Sequence, residues 1–150
     1  MNYLCNCDPC RCDLACDEAA EVKEPPVGAH LISPRRGYTH HGIYAGLGKV
    51  LHYAGLARRL RRGPVEEVSL ENFANGRAVH VECRNEPALA ADDIMDRARS
   101  RLGENRYRLL TNNCEHYAEW SRFGTGRSRQ VERWFGRAPA MMRALVARAA

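Results

Sequence analysis

The sequence predicts an α+β domain, because strand patterns dominate its first half and helix patterns its second half. A chain of 150 residues is long enough to bury a core without disulfides or metal ions. Two β-rich runs joined by a short glycine-containing loop, in residues 38–53, are typical of a hairpin. Apolar residues recur at helical spacing in residues 91–102, and residues 112–123 form a second helix pattern that ends at Gly124.

The remaining elements are shorter and follow from local signals. Residues 29–33 and 78–82 alternate between apolar and polar side chains, which predicts two further strands. Ser69 is placed to cap a short helical turn that runs through Phe73. The pattern of residues 128–148 predicts one or two further helices, with a break near Gly136 and Pro139.

Charge and cysteine content divide the chain into three segments. Residues 1–26 are acidic and cysteine-rich, with a net charge of −4, and are expected to be an appended arm. Residues 27–124 are expected to form the folded domain, and residues 125–150 a basic helical tail. The whole chain carries a net charge of +5. A basic tail favours an anionic partner or is a solvated surface, and we expect no nucleic-acid partner.

The tail has a second feature that bears on its partner. Apolar side chains at residues 141, 142, 145 and 146 fall on one side of a helix, with arginines close by. Such a segment either docks on its own domain or lies on an anionic membrane surface. No run of about 20 apolar residues and no charged-then-apolar leader is visible, so the sequence predicts a cytoplasmic protein, with peripheral membrane contact as a hypothesis.

Seven cysteines are present, and an odd number without a secretory leader argues against a disulfide scaffold. Five of them crowd the N-terminal arm: Cys5, Cys7, Cys10, Cys12 and Cys16. Their spacing offers thiolates for zinc or an iron–sulfur cluster but lacks the paired CxxC pattern of zinc ribbons. The alternative is a reduced or lipid-modified arm, and no metal or cofactor is expected elsewhere in the chain.

Cys114 is the candidate nucleophile. Asn112 followed three residues later by Glu115 predicts a capping box, which places Cys114 in the first turn of a helix. Unpaired N–H groups and the helix dipole at that position are expected to favour the thiolate, the form that attacks carbonyl groups. By default a lone cysteine is a small buried hydrophobic residue, and Cys83 is interpreted in that way.

The hairpin supplies the candidate base. If residues 46–48 form a three-residue loop, Ala45 pairs with Lys49, and Gly42 lies opposite His52. His40 and His52 then share one face as diagonal neighbours, and Gly42 leaves room between them for two imidazole rings. A shift of one residue in the register would replace His40 with His41.

The other histidines are expected to play no part in the chemistry. His41 points to the opposite face of the hairpin, and His116 is turned about 200° away from Cys114 around the helix. His30 and His80 have no predicted partner and are interpreted as structural.

These two motifs resemble those of the lecithin retinol acyltransferase family. The run Asn-Cys-Glu-His-Tyr at residues 113–117 is similar to the family's Asn-Cys-Glu-His-Phe signature. Residues 38–54 resemble its upstream histidine block in order and spacing. The likeness covers about residues 27–123 and extends to the H-Ras-like suppressor phospholipase/acyltransferases and to bacterial-type members.

The resemblance implies a permuted papain-like fold of the NlpC type, an antiparallel sheet with the histidines packed on a helix with the cysteine. It implies that Cys114 is the nucleophile, His40 the base and His52 the histidine that orients the base. Tyr38 matches a tyrosine beside the site, and Asn113 lines it. Tyr117 replaces the phenylalanine of the signature, and His41 stands where the mammalian phospholipase branch has tryptophan.

The implied chemistry is thiol-dependent acyl transfer or acyl hydrolysis through an acyl-thioester, with an acyl-lipid or another acyl donor as substrate. A cysteine peptidase or amidase of the same superfamily is the alternative enzyme. A non-catalytic binding module with a vestigial triad is the alternative outside enzymes.

Overall fold

The structure is a computed structural model that describes residues 4–5, 24–58, 61–82 and 88–136, apart from the side chains at 4–5 and 56–62. Predictions for Cys83 and residues 137–150 lie outside these ranges, as do those for most of the N-terminal arm. Six strands and four helices are described there. The strands are β1 Leu4–Cys5, β2 His30–Arg35, β3 Tyr38–Gly46, β4 Lys49–Arg58, β5 Arg61–Ser69 and β6 His80–Val81. The helices are α1 Leu70–Ala74, α2 Ala91–Ser100, α3 Cys114–Phe123 and α4 Arg129–Gly136.

The strands form one sheet in the order β1-β6-β2-β3-β4-β5. All neighbouring strands are antiparallel except β1 and β6. The predicted α+β class is confirmed, with the histidine hairpin in the middle of the sheet. No helix in the described ranges is long and apolar enough to cross a membrane.

Each face of the sheet has its own hydrophobic core, because successive side chains of a strand point to opposite faces. Ile43 and Leu51 pack with Tyr117 of α3 in one core, which also includes α2. Tyr44 and Val50 pack with α1 in the other core. Even-numbered residues of β3 therefore face α1, and odd-numbered residues face α3.

The hairpin register agrees with the sequence prediction beside the two histidines, because Gly42 pairs with His52. The predicted three-residue loop is wrong. Gly46 pairs with Lys49, and a bulge between Tyr44 and Gly46 restores the register. The loop is the two-residue turn at Leu47 and Gly48, which have φ values of 51° and 67°. Positive φ at both central residues is the requirement of a type I′ hairpin turn.

Gly42 has a different role from the one predicted. A Cβ atom at this position would lie 2.8 Å from Cε2 of Phe73 and 2.7 Å from Cγ1 of Val50. The space beside Gly42 is therefore filled by the Phe73 ring of α1 and not left open for the imidazoles. The ring of Phe73 stacks on His40, with centroids 5.1 Å apart.

Candidate active site

The two histidines of the hairpin form a direct buried pair. Nε2 of His40 lies 2.7 Å from Nδ1 of His52, and the rings meet edge to face with centroids 4.9 Å apart. Both side chains are almost fully buried. Tyr38 lies on the same face, with its ring centroid 6.4 Å from that of His40. The structure thus brings three of the predicted site residues together.

Burial keeps this histidine pair uncharged. Desolvation, and then the neighbouring His52 and Arg35, hold the pKa of His40 well below its ordinary value. Desolvation and Arg35 lower the pKa of His52 to about 4. Both rings are therefore neutral near pH 7, which is the state that a proton acceptor requires.

Cys114 is the first residue of α3, and the residue before it caps the helix. The side-chain oxygen of Asn113 accepts hydrogen bonds from the backbone N–H groups of Glu115 and His116, both at 3.0 Å. The ring of His116 closes the capping box by accepting from the backbone N–H of Asn113 at 3.4 Å. The cap predicted at Asn112 is wrong by one residue.

Asn112 has a different function, in the loop that leads into α3. Its amide donates to Glu104 and to the backbone carbonyl of Arg106, both at 3.0 Å. Glu104 also accepts from Arg101, and these bonds tie the loop together ahead of Cys114. The predicted helix end at Gly124 is confirmed, since Gly124 takes the left-handed C-cap conformation.

The expectation of a thiolate at Cys114 does not hold in this structure. Burial raises the pKa of Cys114 to about 11, although the backbone N–H groups of His41, Glu115 and Cys114 act in the opposite direction. Only 3% of the residue is exposed, so the cost of desolvating the anion outweighs the favourable helix terminus. The thiol lies 3.9 Å from the carbonyl oxygen of Thr39 and can donate to it.

A local opening of the sheet explains how α3 comes close to the histidine strand. Strands β3 and β4 pair no further than Gly42 and His52. Beyond that point, among the residues that the structure describes, β3 pairs with β2 and β4 pairs with β5. The two strands thus separate, and the Cys114 sulfur contacts the backbone of Thr39 and His41 on the side of β3 that faces the gap.

Gln130 of α4 takes the place of the missing strand at Thr39. Its side-chain oxygen accepts from the N–H of Thr39 at 2.8 Å, and its amide nitrogen donates to the carbonyl of Thr39 at 3.0 Å. The same amide lies 3.0 Å from Nε2 of His41. One side chain thus holds both peptide units of Thr39, the residue before His40, and contacts the ring of His41, the residue after it.

Glu115 anchors α4 in turn. Its carboxylate accepts from the hydroxyl of Ser128 at 2.6 Å and from the backbone N–H groups of Arg129 and Gln130 at 3.0 Å. Burial opposes the charge, but the nearby His41 and these hydrogen bonds hold the pKa of Glu115 below its usual value. The carboxylate at the start of α3 therefore fixes the start of α4.

His30 and His41 belong to a separate network on the α3 side of the sheet. Nε2 of His30 lies 2.9 Å from Nδ1 of His41, and Nδ1 of His30 lies 3.6 Å from Glu119 of α3. The predicted orientation of His41, away from His40, agrees with this arrangement. The expectation that His30 has no partner is wrong, because it contacts His41 in the buried interior, and its structural role stays a prediction.

The side chains of Cys114 and His40 pack against different helices. Cys114 packs in the core on the α3 side, whereas His40 stacks on Phe73 of α1. Within the described ranges no hydrogen bond joins the thiol to the imidazole, and the sulfur meets the backbone on both sides of His40. Apo sites often hold catalytic hydrogen bonds that tighten only when substrate binds.

Four residues near the site were not found by sequence reasoning: Phe73, Tyr107, Glu66 and Gln130. Tyr107 is buried, and its pKa is raised by burial and then by Cys114 and Tyr38, which places it beside the thiol. One signal was available for it. A Cβ at Gly55 would lie 2.6 Å from the Tyr107 ring, so the glycine marks a close approach.

The side chains around the site do not form a metal centre in the part of the chain that the structure describes. In the ranges that the structure describes, no group of three or more His, Cys, Asp or Glu side chains is placed to hold a metal ion. Four cysteines of the N-terminal cluster lie outside those ranges, and the side chain of Cys5 is not described.

Comparison with known proteins identifies the family. A family model described as lecithin retinol acyltransferase matches residues 23–127. Human lecithin retinol acyltransferase is 32% identical over 128 residues, covering 67% of this chain and 56% of the human protein. Human phospholipase A and acyltransferase 2 is 29% identical, covering 71% of this chain and 76% of that protein. The chain thus spans little more than half the length of the former relative. The family model covers both the histidine hairpin and the start of α3, and the chain belongs to the lecithin retinol acyltransferase family.

Proposed function

We propose that this protein is a thiol-dependent acyltransferase or acyl-ester hydrolase, with Cys114 as nucleophile, His40 as base and His52 as its orienting partner. The observation that carries the proposal is the buried contact of 2.7 Å between Nε2 of His40 and Nδ1 of His52. The Cys114 sulfur contacts the backbone of the strand that carries His40. The relatives, named as acyltransferases and phospholipases, support the acyl chemistry. The permuted papain-like arrangement implied by the resemblance is part of this proposal.

The reaction begins from two neutral groups. With Nε2 of His40 engaged by His52, its Nδ1 is the nitrogen left to take the thiol proton. The sulfur then attacks the carbonyl carbon of an ester or amide, and the carbonyl becomes a tetrahedral oxyanion. The oxyanion collapses as the bond to the leaving alcohol or amine breaks, and His40 returns the proton to that group.

The second half of the cycle reverses these steps with a new acceptor. Water, an alcohol or an amine loses a proton to His40, attacks the acyl-thioester, and regenerates the Cys114 thiol. Water yields a hydrolase, whereas an alcohol or amine yields a transferase. The backbone N–H at the start of α3 and the hydroxyl of Tyr38 are the groups proposed to stabilise the oxyanion, and Asn113 holds the first turn in place.

The resting structure adds a condition to this cycle. Because burial raises the pKa of Cys114 to about 11 and lowers that of His40, the thiolate–imidazolium pair is disfavoured before substrate binds. A bound carbonyl group changes this balance, because proton transfer and attack then occur together and the charge passes to the oxyanion. Such a site stays protected from oxidation until substrate enters.

The test is incubation of the full chain with matched acyl donors, followed by intact mass measurement. Phospholipids, simple fatty-acyl esters and acylated peptides with the same acyl chain form the panel. An adduct of acyl mass from the lipid or ester donors supports the proposal. An adduct or cleavage with peptides alone supports the peptidase alternative, and no reaction with any donor supports the non-catalytic module.

The proposed partners are an acyl-lipid and the membrane that contains it. Residues 138–150, which either dock on their own domain or lie on that membrane, are outside the described ranges. Arg127, just before α4, and Arg133, within it, are exposed cations. An anionic lipid surface is a fitting partner for such side chains.

A further inference from the structure

The histidine pair continues into an acidic side chain on the next strand. Glu66 of β5 lies directly across from His52 of β4 in the sheet. Its carboxylate oxygen Oε1 is 3.4 Å from Nε2 of His52. That nitrogen is fully buried and makes no hydrogen bond of ordinary geometry within the described ranges. Glu66, whose side chain is 32% exposed, is the acceptor within reach of it.

A carboxylate at one end of this chain of contacts determines which nitrogen of each ring carries the proton. An ionised carboxylate only accepts hydrogen bonds, so a neutral His52 facing Glu66 carries its proton on Nε2. Its Nδ1 then has a lone pair and accepts from Nε2–H of His40 across the 2.7 Å contact. This leaves the lone pair of His40 on Nδ1, which is the tautomer that accepts a proton there.

We propose that Glu66 is a positioning residue, which selects through the His52 ring the tautomer of His40 that acts as base. The inference rests on the proposed function, because it concerns the base of that reaction. The relay therefore comprises His40, His52 and Glu66 from three adjacent strands. Glu66 touches neither the thiol nor the substrate and acts only through His52.

Among the described groups that face His52, Glu66 is the carboxylate. Within the described ranges, His52 faces His40 from β3, Glu66 from β5 and the Phe73 ring from α1, while Arg35 of β2 acts on it from a distance. Arg35 disfavours a positive charge on both rings, whereas Glu66 favours it. When His40 takes the thiol proton, the carboxylate is the group that offsets the charge.

The test uses Glu66→Gln, with Glu67→Gln as the matched control. Glu67 is the next residue of β5, is exposed and points to the opposite face. The first readout is the tautomer of the His40 and His52 rings in the resting full-length protein, measured by ¹⁵N NMR chemical shifts. We expect the ring shifts of Glu67→Gln to match wild type, and those of Glu66→Gln to show mixed tautomers.

The second readout is turnover against pH, with the acyl donor that forms the adduct. Glu66→Gln should lower kcat by about 10-fold with little change in KM, since an outer partner of a catalytic histidine contributes on that order. The acid limb of its pH–activity profile should move to lower pH, because the histidine imidazolium no longer has the negative charge of Glu66 beside it. Glu66→Asp, which keeps the carboxylate, should recover part of the rate and of the acid limb.

Two results would overturn the inference. Unchanged ring tautomers in Glu66→Gln would do so, as would kcat and an acid limb equal to those of Glu67→Gln. The NMR readout needs no turnover, so it decides the role of Glu66 even if no acyl donor reacts. A protein with the expected tautomers but no acyl adduct on Cys114 would instead reject the proposed function.

Discussion

The side chain of Gln130 offers the most direct perturbation of the opening between β3 and β4. Gln130→Ala removes three hydrogen bonds, two of them to the backbone of Thr39 and one to His41. A hydrogen bond contributes about 0.5–1.5 kcal/mol net, and water can reach this half-buried site, so we expect a loss of about 2 kcal/mol in unfolding free energy. For a chain of this size the same change lowers Tm by about 4–8 °C.

The effect on activity should exceed the effect on stability. Gln130 holds both peptide units of Thr39, one of which leads into His40, and a shift of about 1 Å in a reacting group can cost about 100-fold in rate. We expect Gln130→Ala to form the acyl adduct about 10- to 100-fold more slowly at a temperature where it is fully folded. Urea denaturation and the adduct rate by mass spectrometry measure the two effects.

Arg129→Ala is the control for this experiment, because Arg129 is the exposed neighbour on the same helix. It should change neither the unfolding free energy nor the adduct rate by much. If Gln130→Ala and Arg129→Ala behave alike in both measurements, Gln130 does not hold the strand, and the proposed role of the opening in positioning His40 would be wrong.

Three further predictions concern the histidines, the loop before α3 and the tail. His40→Ala should reduce the adduct rate more than His52→Ala, because the former transfers the proton; equal losses would contradict the assigned roles. Hydrogen bonds from Arg101 and then Asn112 lower the pKa of Glu104 to about 2, although burial acts in the opposite direction. The ionised Glu104 therefore stabilises the folded protein fully above pH 4.5, and this contribution is lost as the pH falls towards 2. Glu104→Gln should flatten the fall in unfolding free energy over that range, and an unchanged pH profile would argue against the ion pair. Deleting residues 138–150 should weaken binding to anionic vesicles in a salt-dependent way; a destabilised fold with unchanged binding would make the tail structural.

Local patterns predicted the two strands of the central hairpin and their register at Gly42, but not the turn between them. Glycine at the turn, alternation along β3 and β4, and the pairing of Gly42 with His52 are all short-range features, and the structure agrees with them. The loop at Leu47 and Gly48 was missed because a bulge one residue before it compensates for the shorter turn. Compensating irregularities of this kind leave no signal in the alternation pattern.

The electrostatic prediction at Cys114 failed for a different reason. Helix position is readable from sequence, but burial is a property of the whole fold, and here burial outweighs the helix terminus. The capping residue was displaced by one position because Asn112 and Asn113 are both good N-caps, and only tertiary contacts of Asn112 with Glu104 decide between them.

The residues that surround the histidines depend on long-range contacts. Gln130 is 91 positions away from Thr39, and no periodicity links the two. Glu66 required the register of β4 against β5, which has its own irregularity between Gly55 and Arg58. Phe73 was recognised as the end of a short helix but not as the ring that stacks on His40. Sequence patterns therefore singled out Cys114, His40 and His52, whose roles stay a prediction, but not the other side chains packed around the histidine pair.

The central claim is that Cys114 carries the acyl group and that His40 activates it. The direct measurement is peptide mass spectrometry of the protein after a short incubation with the reactive acyl donor, comparing wild type with Cys114→Ser, Cys83→Ser and His40→Ala. We predict a hydroxylamine-sensitive thioester on Cys114 in wild type and Cys83→Ser, none in Cys114→Ser, and strongly slowed formation in His40→Ala. An acyl group on another residue, or undiminished turnover in Cys114→Ser, would contradict the account.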